Sequence, residues 1–108
     1  MKRIEHIGIA VKDLSGANQL FETLFNTPKY KVESVEREGV STSFFKIGQT
    51  KVELLEANNP ESPIAKFIEK RGEGIHHIAF EVEDIEKEME RLKKEGFQLI
   101  NTNPVDGA

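Results

Sequence analysis

Three side chains of the kinds that bind divalent metal ions stand within strand-like segments of the sequence: His6, Glu53 and His77. Apolar residues alternate with other residues around each of them, which predicts β-strands in which the three side chains face away from the apolar surface. Neutral imidazoles and carboxylates suit zinc, cobalt, manganese, nickel or iron(II) without choosing among them. The sequence therefore predicts a metal site containing His6, Glu53 and His77.

The two histidines belong to a repeat. Residues 6–14, HIGIAVKDL, and residues 77–85, HIAFEVEDI, share His, Ile, Val and Asp in register. Each copy is typical of a strand that leads into a capped amphipathic helix. Such a repeat indicates a duplicated module, and pseudo-twofold symmetry brings equivalent positions together. This favours His6 and His77 as a pair of ligands over two unrelated polar core residues.

Strand alternation also separates His76 from its neighbour. His76 falls on the opposite face from His77, together with apolar residues that should pack under a helix: Ile78, Phe80 and Val82. We therefore predict a structural role for His76. His6 and His77 should project from the concave face, next to small residues that leave room for a ligand: Gly8, Ala10 and Ala79.

The first module is predicted to contain a strand, a helix and three more strands, βαβββ. The helix should be capped by Asp13 or Ser15 and should bury one face: Leu20, Phe21, Leu24 and Phe25. Strands are expected at Lys29–Glu38, Ser41–Ile47 and Lys51–Glu56, the last two joined as a hairpin.

A short helix with Ser62 as cap and Pro63 in its first turn should follow the first module. The second module is predicted as a strand over residues 75–82, a helix over residues 85–95 capped by Asp84, and a strand beginning at Phe97–Ile100. We therefore expect one α+β domain over residues 1–108, with modules at about 1–57 and 73–108. From the repeat we expect the second module to be incomplete, without its last two strands and a fourth ligand.

Composition excludes several classes of protein. The chain has 108 residues, 37% of them hydrophobic and 31% charged, which is ordinary for a globular domain. Its net charge of −4 and its lack of a basic stripe argue against nucleic-acid binding. It has no cysteine for a disulfide or a thiolate site, and no apolar run long enough for a membrane span. We expect a cytoplasmic protein.

The chain resembles the vicinal oxygen chelate (glyoxalase) superfamily, which is built from paired βαβββ modules around a divalent metal. The stretches that carry the resemblance are IEHIGIAVKDL, IGQTKVELLE, ESPIAKFIEKRGEGIHHIAFEVEDI and the final NPVDGA. The first and last strand motifs are general to the superfamily, whereas the run SPIAKF followed by GEGIHHIAFEV is far more specific to its methylmalonyl-CoA epimerase branch.

The resemblance implies an activity and a site. The activity is epimerisation of (2R)- and (2S)-methylmalonyl-CoA, a step of propionate metabolism, by 1,1-proton transfer through a metal-stabilised enolate. The family's metal histidines fall on His6 and His77, and its third ligand falls on Glu53. Its last ligand, a glutamate that is also proposed as acid/base, would lie beyond residue 108. A second proposed base aligns near Thr42, which cannot act as one, so no catalytic residue is assigned and the 108-residue chain is expected to be inactive.

The resemblance also implies an acyl-CoA substrate, a divalent ion such as cobalt, zinc, manganese or nickel, and a homodimer. Two alternatives stay open. A glyoxalase-like lactoylglutathione lyase would use the same metal and a related enediolate. A non-catalytic binding or resistance protein would keep the fold without this chemistry.

Overall fold

The computed structural model describes residues 1–100 and contains one mixed sheet with helices. Its elements follow in the order β1 (Arg3–Ala10), α1 (Leu14–Phe25), β2 (Lys31–Val35), a 3-10 turn (Glu36–Glu38), β3 (Val40–Ile47), β4 (Thr50–Ala57), α2 (Pro63–Arg71), β5 (Gly74–Glu81) and α3 (Ile85–Lys94). The strand order is β2-β3-β4-β1-β5. Strand β1 runs parallel to β4, while β2–β3 and β3–β4 are antiparallel. The predicted α+β class is confirmed.

The chain divides into two compact units. The larger unit is Ile4–Ala79, and the smaller one joins Met1–Arg3 with the residues from Phe80 onward. Within the smaller unit, the Lys2 amide donates to the carbonyl of Glu81 at 2.8 Å. Helix α3 begins as predicted, because the Asp84 carboxylate accepts from the Lys87 amide at 3.1 Å. None of the helices in the described part of the chain is long and apolar enough to span a membrane.

Helix α1 covers one face of the sheet in the larger unit. The core that it closes contains Val11, Leu14, Phe45, Val52 and Leu54, with Ile9, Ala17, Phe21 and Phe25 packed against it. The predicted inner face was half wrong, since Leu20 and Leu24 are 65% and 67% exposed. The buried stripe follows positions 14, 17, 21 and 25, and residues 20 and 24 lie to one side of it.

The start of α1 is stabilised by a residue from another strand. Asp13 occupies the N-cap position, but its side chain makes no capping hydrogen bond. The amide of Leu14 instead donates to Oε2 of Glu56, in β4, at 2.9 Å. A carboxylate at a helix N-terminus accepts a hydrogen bond from a free backbone amide and interacts favourably with the positive end of the helix dipole. Glu56 therefore replaces the local capping residue.

Helix α2 packs on the opposite face of the sheet, at one end. Its core residues are Ala10, Leu55 and Ile64, with Val40, Ala57, Phe67 and Ile68 around them. The predicted start is confirmed: the Ser62 side chain accepts from the Ala65 amide at 3.1 Å, with Pro63 in the first turn.

Two predicted strands differ from the structure. The segment Lys29–Glu38 forms the shorter β2 and then a 3-10 turn that ends at Gly39, whose φ of 66° suits glycine. Phe97–Ile100 is not a strand in the described residues. The amide of Phe97 bonds back to the Leu92 carbonyl at 3.0 Å, which closes the end of α3. Residues 101–108, the predicted end of the second module, lie outside the described residues.

Candidate metal centre

The parallel pairing of β1 with β4 sets the base of the site. In this register His6 lies opposite Lys51, and Gly8 lies opposite Glu53. Since side chains alternate along a strand, the side chains of His6 and Glu53 share the face on which α2 packs. They lie along the strands from the α2 contact, on the part of that face nearer the start of β1.

The structure brings all three predicted ligands together. Nε2 of His6 lies 3.0 Å from Nε2 of His77, although the residues are 71 positions apart. Oε2 of Glu53 lies 3.6 Å from Nδ1 of His6. One donor atom from each of the three residues lies within 4.8 Å of the others. His6 and Glu53 are only 7% and 4% exposed, so two polar groups are buried at one point of the sheet.

Gly8 makes the close approach of His77 possible. A Cβ atom added at Gly8 would lie 2.3 Å from Cε1 of the His77 ring, which is far inside van der Waals contact. The prediction that small residues here leave room for a ligand is therefore wrong for Gly8. The space above this glycine holds the imidazole of His77 itself.

Burial controls the electrostatics of the site. It raises the pKa of the Glu53 carboxyl, and the neighbouring His6 opposes this only in part. It also lowers the pKa of the His77 imidazole, with further lowering by His6 and His76. Both shifts disfavour the charged form of the side chain. A cation placed among these groups would compensate the buried carboxylate and would find His77 neutral, with a nitrogen lone pair to offer.

Glu5 is part of the site and was missed by the sequence argument. Its Oε1 lies 2.7 Å from Nδ1 of His6, and its Oε2 lies 3.0 Å from Nζ of Lys51. These two hydrogen bonds, first that with His6 and then that with Lys51, lower the pKa of Glu5 and so favour its ionised form. In a strand, Glu5 and His6 point to opposite faces, so alternation gives no indication that their side chains meet.

His76 also lies against one of the predicted ligands, His77. Its Nδ1 is 3.0 Å from Nδ1 of His77, and its ring packs edge-on against Phe67 at 4.9 Å between centroids. The expectation that this face of β5 packs under a helix is not met, because Ile78 and Phe80 are 44% and 47% exposed. Strand β5 ends the sheet order in the described residues, which leaves its side chains less enclosed than those of an inner strand.

The donor set fits a divalent transition metal. Two nitrogens bound to one ion at about 2.0–2.1 Å lie roughly 3.0–3.4 Å apart, which includes the observed 3.0 Å between His6 and His77. The three donor atoms lie within 4.8 Å of one another, so the side chains would have to draw closer together to bind one ion.

Comparison with known proteins decides the family. The profile of the Glyoxalase/Bleomycin resistance protein/Dioxygenase superfamily matches residues 5–108. The chain belongs to this superfamily.

Relatives within the superfamily include named epimerases. The chain is 37% identical to an ethylmalonyl-CoA/methylmalonyl-CoA epimerase of Cereibacter sphaeroides, over 93% of this chain and 75% of the relative. A Streptomyces coelicolor methylmalonyl-CoA epimerase variant, solved in complex with 2-nitronate-propionyl-CoA, is 30% identical with a TM-score of 0.85, over 100% of this chain and 79% of the other. A hypothetical protein from Bacillus halodurans is 44% identical with a TM-score of 0.89, over 98% of this chain and 77% of the other. The predicted glyoxalase fold and the resemblance to methylmalonyl-CoA epimerases are confirmed.

Proposed function

We propose that this protein is a metal-dependent epimerase that interconverts the (2R) and (2S) forms of methylmalonyl-CoA. The observation that carries the proposal is the pair of facing imidazoles of His6 and His77 beside the buried carboxylate of Glu53. The similarity to named epimerases over nearly the whole chain supports the choice of substrate.

We assign the metal ligands to His6, Glu53 and His77. The two imidazoles would supply neutral nitrogen donors, and Glu53 would supply one negative charge. This set would suit cobalt, zinc, manganese or nickel.

The reaction requires removal of the proton between a thioester and a carboxylate, followed by its return to the opposite face. When bound, the metal supplies Lewis acidity to the substrate oxygens on which negative charge develops. The strands β1 and β5 position the imidazoles of His6 and His77, and Gly8 permits the close approach of His77. The burial of Glu53 excludes water from one side of the site.

Thr42 lies on the same face and has no acid/base role in the proposal. It stands opposite Leu55 in the β3–β4 register and is only 8% exposed. An alcohol is too weak a base at neutral pH to take a proton from carbon, so the proton must move through other groups.

The organisation of the whole protein is part of the proposal. We infer two modules, at about residues 1–57 and 73–108, and retain the homodimer and the cytoplasmic location as predictions. Light scattering of the purified protein measures whether it is a dimer, and fractionation of the native cells measures whether it is cytoplasmic.

A test of the activity starts from the protein as its gene encodes it, stripped of metal and reloaded separately with Co²⁺ or Zn²⁺. Incubation with methylmalonyl-CoA in D₂O should give deuterium at C2 and mixing of the two epimers, both dependent on metal. The matched control is His77→Ala, in which adding metal should not restore deuterium exchange at C2.

The alternatives predict other results. Formation of lactoylglutathione from the hemithioacetal, without exchange at C2, would replace the epimerase by a glyoxalase-like lyase. Tight metal binding with neither reaction would indicate a binding protein.

A further inference from the structure

We propose that Glu5 is a positioning residue for the ligand His6, and that Lys51 acts on the metal site through Glu5. The inference rests on the proposed function, because it takes His6, Glu53 and His77 as the metal ligands. It assigns roles to two side chains that the sequence did not predict as parts of the site.

The orientation of the His6 ring decides whether its nitrogen reaches the metal. Nε2 of His6 lies 3.0 Å from Nε2 of His77, where an ion would bind both. The terminal torsion of a histidine side chain is broad and roughly two-fold, so the backbone does not determine which edge of the ring faces inward. A half-turn of the ring would put a carbon atom in the place of Nε2. Some contact outside the ligand set must therefore select the orientation.

Glu5 makes that contact at the other nitrogen of the ring. Its Oε1 lies 2.7 Å from Nδ1 of His6, well within hydrogen-bond distance. A half-turn of the ring would bring a carbon atom to this carboxylate and lose the contact. A carboxylate at the outer nitrogen of a ligand histidine commonly fixes the orientation of the ring. Glu5 is placed to do this for His6.

Lys51 holds the Glu5 carboxylate from the neighbouring strand. Its Nζ lies 3.0 Å from Oε2 of Glu5, so each carboxylate oxygen has a different partner. Lys51 stands opposite His6 in the register of β1 with β4. An ion pair of such partly exposed side chains adds little stability by itself. Its effect in this place is to hold Glu5 against the ring.

The same contact keeps Glu53 available as a ligand. Oε2 of Glu53 lies 3.6 Å from Nδ1 of His6, just beyond hydrogen-bond distance. Glu5 is closer to this nitrogen, at 2.7 Å, and occupies it. In the absence of Glu5, a small movement would bring Glu53 to Nδ1 and away from the ion. Glu5 and Glu53 thus have separate roles, one outside the ring and one on the metal.

The test uses the protein as its gene encodes it and compares wild type with Glu5→Ala, Glu5→Gln, Lys51→Met and the double variant Glu5→Ala/Lys51→Met. Zinc affinity is measured by competition calorimetry, and melting temperature reports stability. The visible absorption of the Co²⁺-loaded proteins reports the geometry of the ligands. The matched control is Glu33→Ala, which removes a carboxylate that pairs with Lys31 at 3.3 Å. Glu33 lies in β2, which β3 and β4 separate from β1.

We expect Glu5→Ala to bind zinc about 10–100-fold more weakly than wild type and to have an altered Co²⁺ spectrum. Glu5→Gln should recover most of the affinity, because its side chain has the same shape and keeps an oxygen atom. Glu33→Ala should bind zinc like wild type, and all variants should melt within a few degrees of it.

Lys51→Met should weaken zinc binding about 2–5-fold, the range that corresponds to one exposed ion pair. In the Glu5→Ala background the same substitution should cause no further loss, because its effect passes through Glu5.

The inference fails on any of four results. Wild-type zinc affinity in Glu5→Ala would remove the positioning role and leave the metal site intact. Equal losses in Glu5→Ala and Glu5→Gln would show that the charge of Glu5 matters and its position does not. Equal effects of Lys51→Met in both backgrounds would show that Lys51 acts independently of Glu5. Failure of the wild-type protein to bind zinc, cobalt or any other divalent ion would overturn the metal site and the proposed function together.

Discussion

Replacement of Gly8 by alanine should separate metal binding from folding. The new Cβ would meet three atoms of the His77 ring at 2.3, 2.7 and 2.8 Å. The Cε1 atom would have to retreat by about 1.1 Å to reach ordinary contact at 3.4 Å. Gly8 lies in β1 and does not have a positive φ, so the backbone itself accepts alanine without strain.

The size of the effect on each property follows from what moves. A metal–nitrogen distance tolerates about 0.2 Å, so a shift of about 1.1 Å removes His77 as a ligand. We expect zinc affinity to fall by at least about 100-fold, more than for loss of an outer partner. The imidazole is the end of a rotatable side chain, so the loss of stability should be small, about 1 kcal/mol, at the low end for overpacking.

A double-mutant cycle with His77→Ala checks the cause. In the His77→Ala background the alanine at position 8 has no ring to meet, so it should change neither melting temperature nor residual zinc affinity. Calorimetric titration with zinc and thermal melting of the four proteins provide both quantities. Wild-type zinc affinity in Gly8→Ala would refute the reasoning. It would show that the His77 imidazole does not have to lie over position 8 when it binds the metal.

Further predictions concern the ligands, their ionisation and the core. His6→Ala and His77→Ala should each abolish tight binding of divalent metal, as measured by calorimetry, and retained micromolar-or-better affinity in either would remove that residue from the site. Without metal, Glu53→Gln should stabilise the protein at pH 7 by about 1 kcal/mol in urea unfolding, because it removes a buried charge. Burial raises the pKa of Glu53 in the folded protein above its value in the unfolded chain. The stability gained by the substitution should therefore disappear as the pH falls below 4.5, where the carboxyl is protonated in both states. The lowered pKa of His77 has the opposite effect on the pH dependence of stability, because the unfolded chain protonates this imidazole more readily than the folded protein does. Metal-free wild type should therefore lose stability as the pH falls below 6.5. His77→Ala should reduce this loss of stability below pH 6.5. Leu24→Ala, on the exposed side of α1, should change stability by less than about 0.5 kcal/mol, whereas Leu54→Ala, fully buried, should cost about 2–5 kcal/mol; equal losses would contradict the orientation of α1.

The sequence alone was enough to predict the three candidate ligands and most of the elements that hold them. Alternation along a strand has a period of two residues, so it specified the faces of His6 and Glu53 without any knowledge of the partner strands. The repeat added His77, because equivalent positions of a duplicated module meet near its symmetry axis. The caps Ser62 and Asp84 could also be predicted, since each bonds to an amide only three residues away.

The surroundings of the ligands depended on tertiary structure. Glu5 contacts the side chain of His6, and His76 contacts that of His77. Alternation along a strand predicts that adjacent residues point to opposite faces, so it does not predict these contacts. Gly8 makes room for a ring that comes from a strand distant in sequence, and Glu56 stabilises the start of a helix 42 positions away. Local periodicity reports the direction in which a side chain leaves the backbone. Which atom it finally meets is decided by the register between strands and by the packing of elements far apart in the chain.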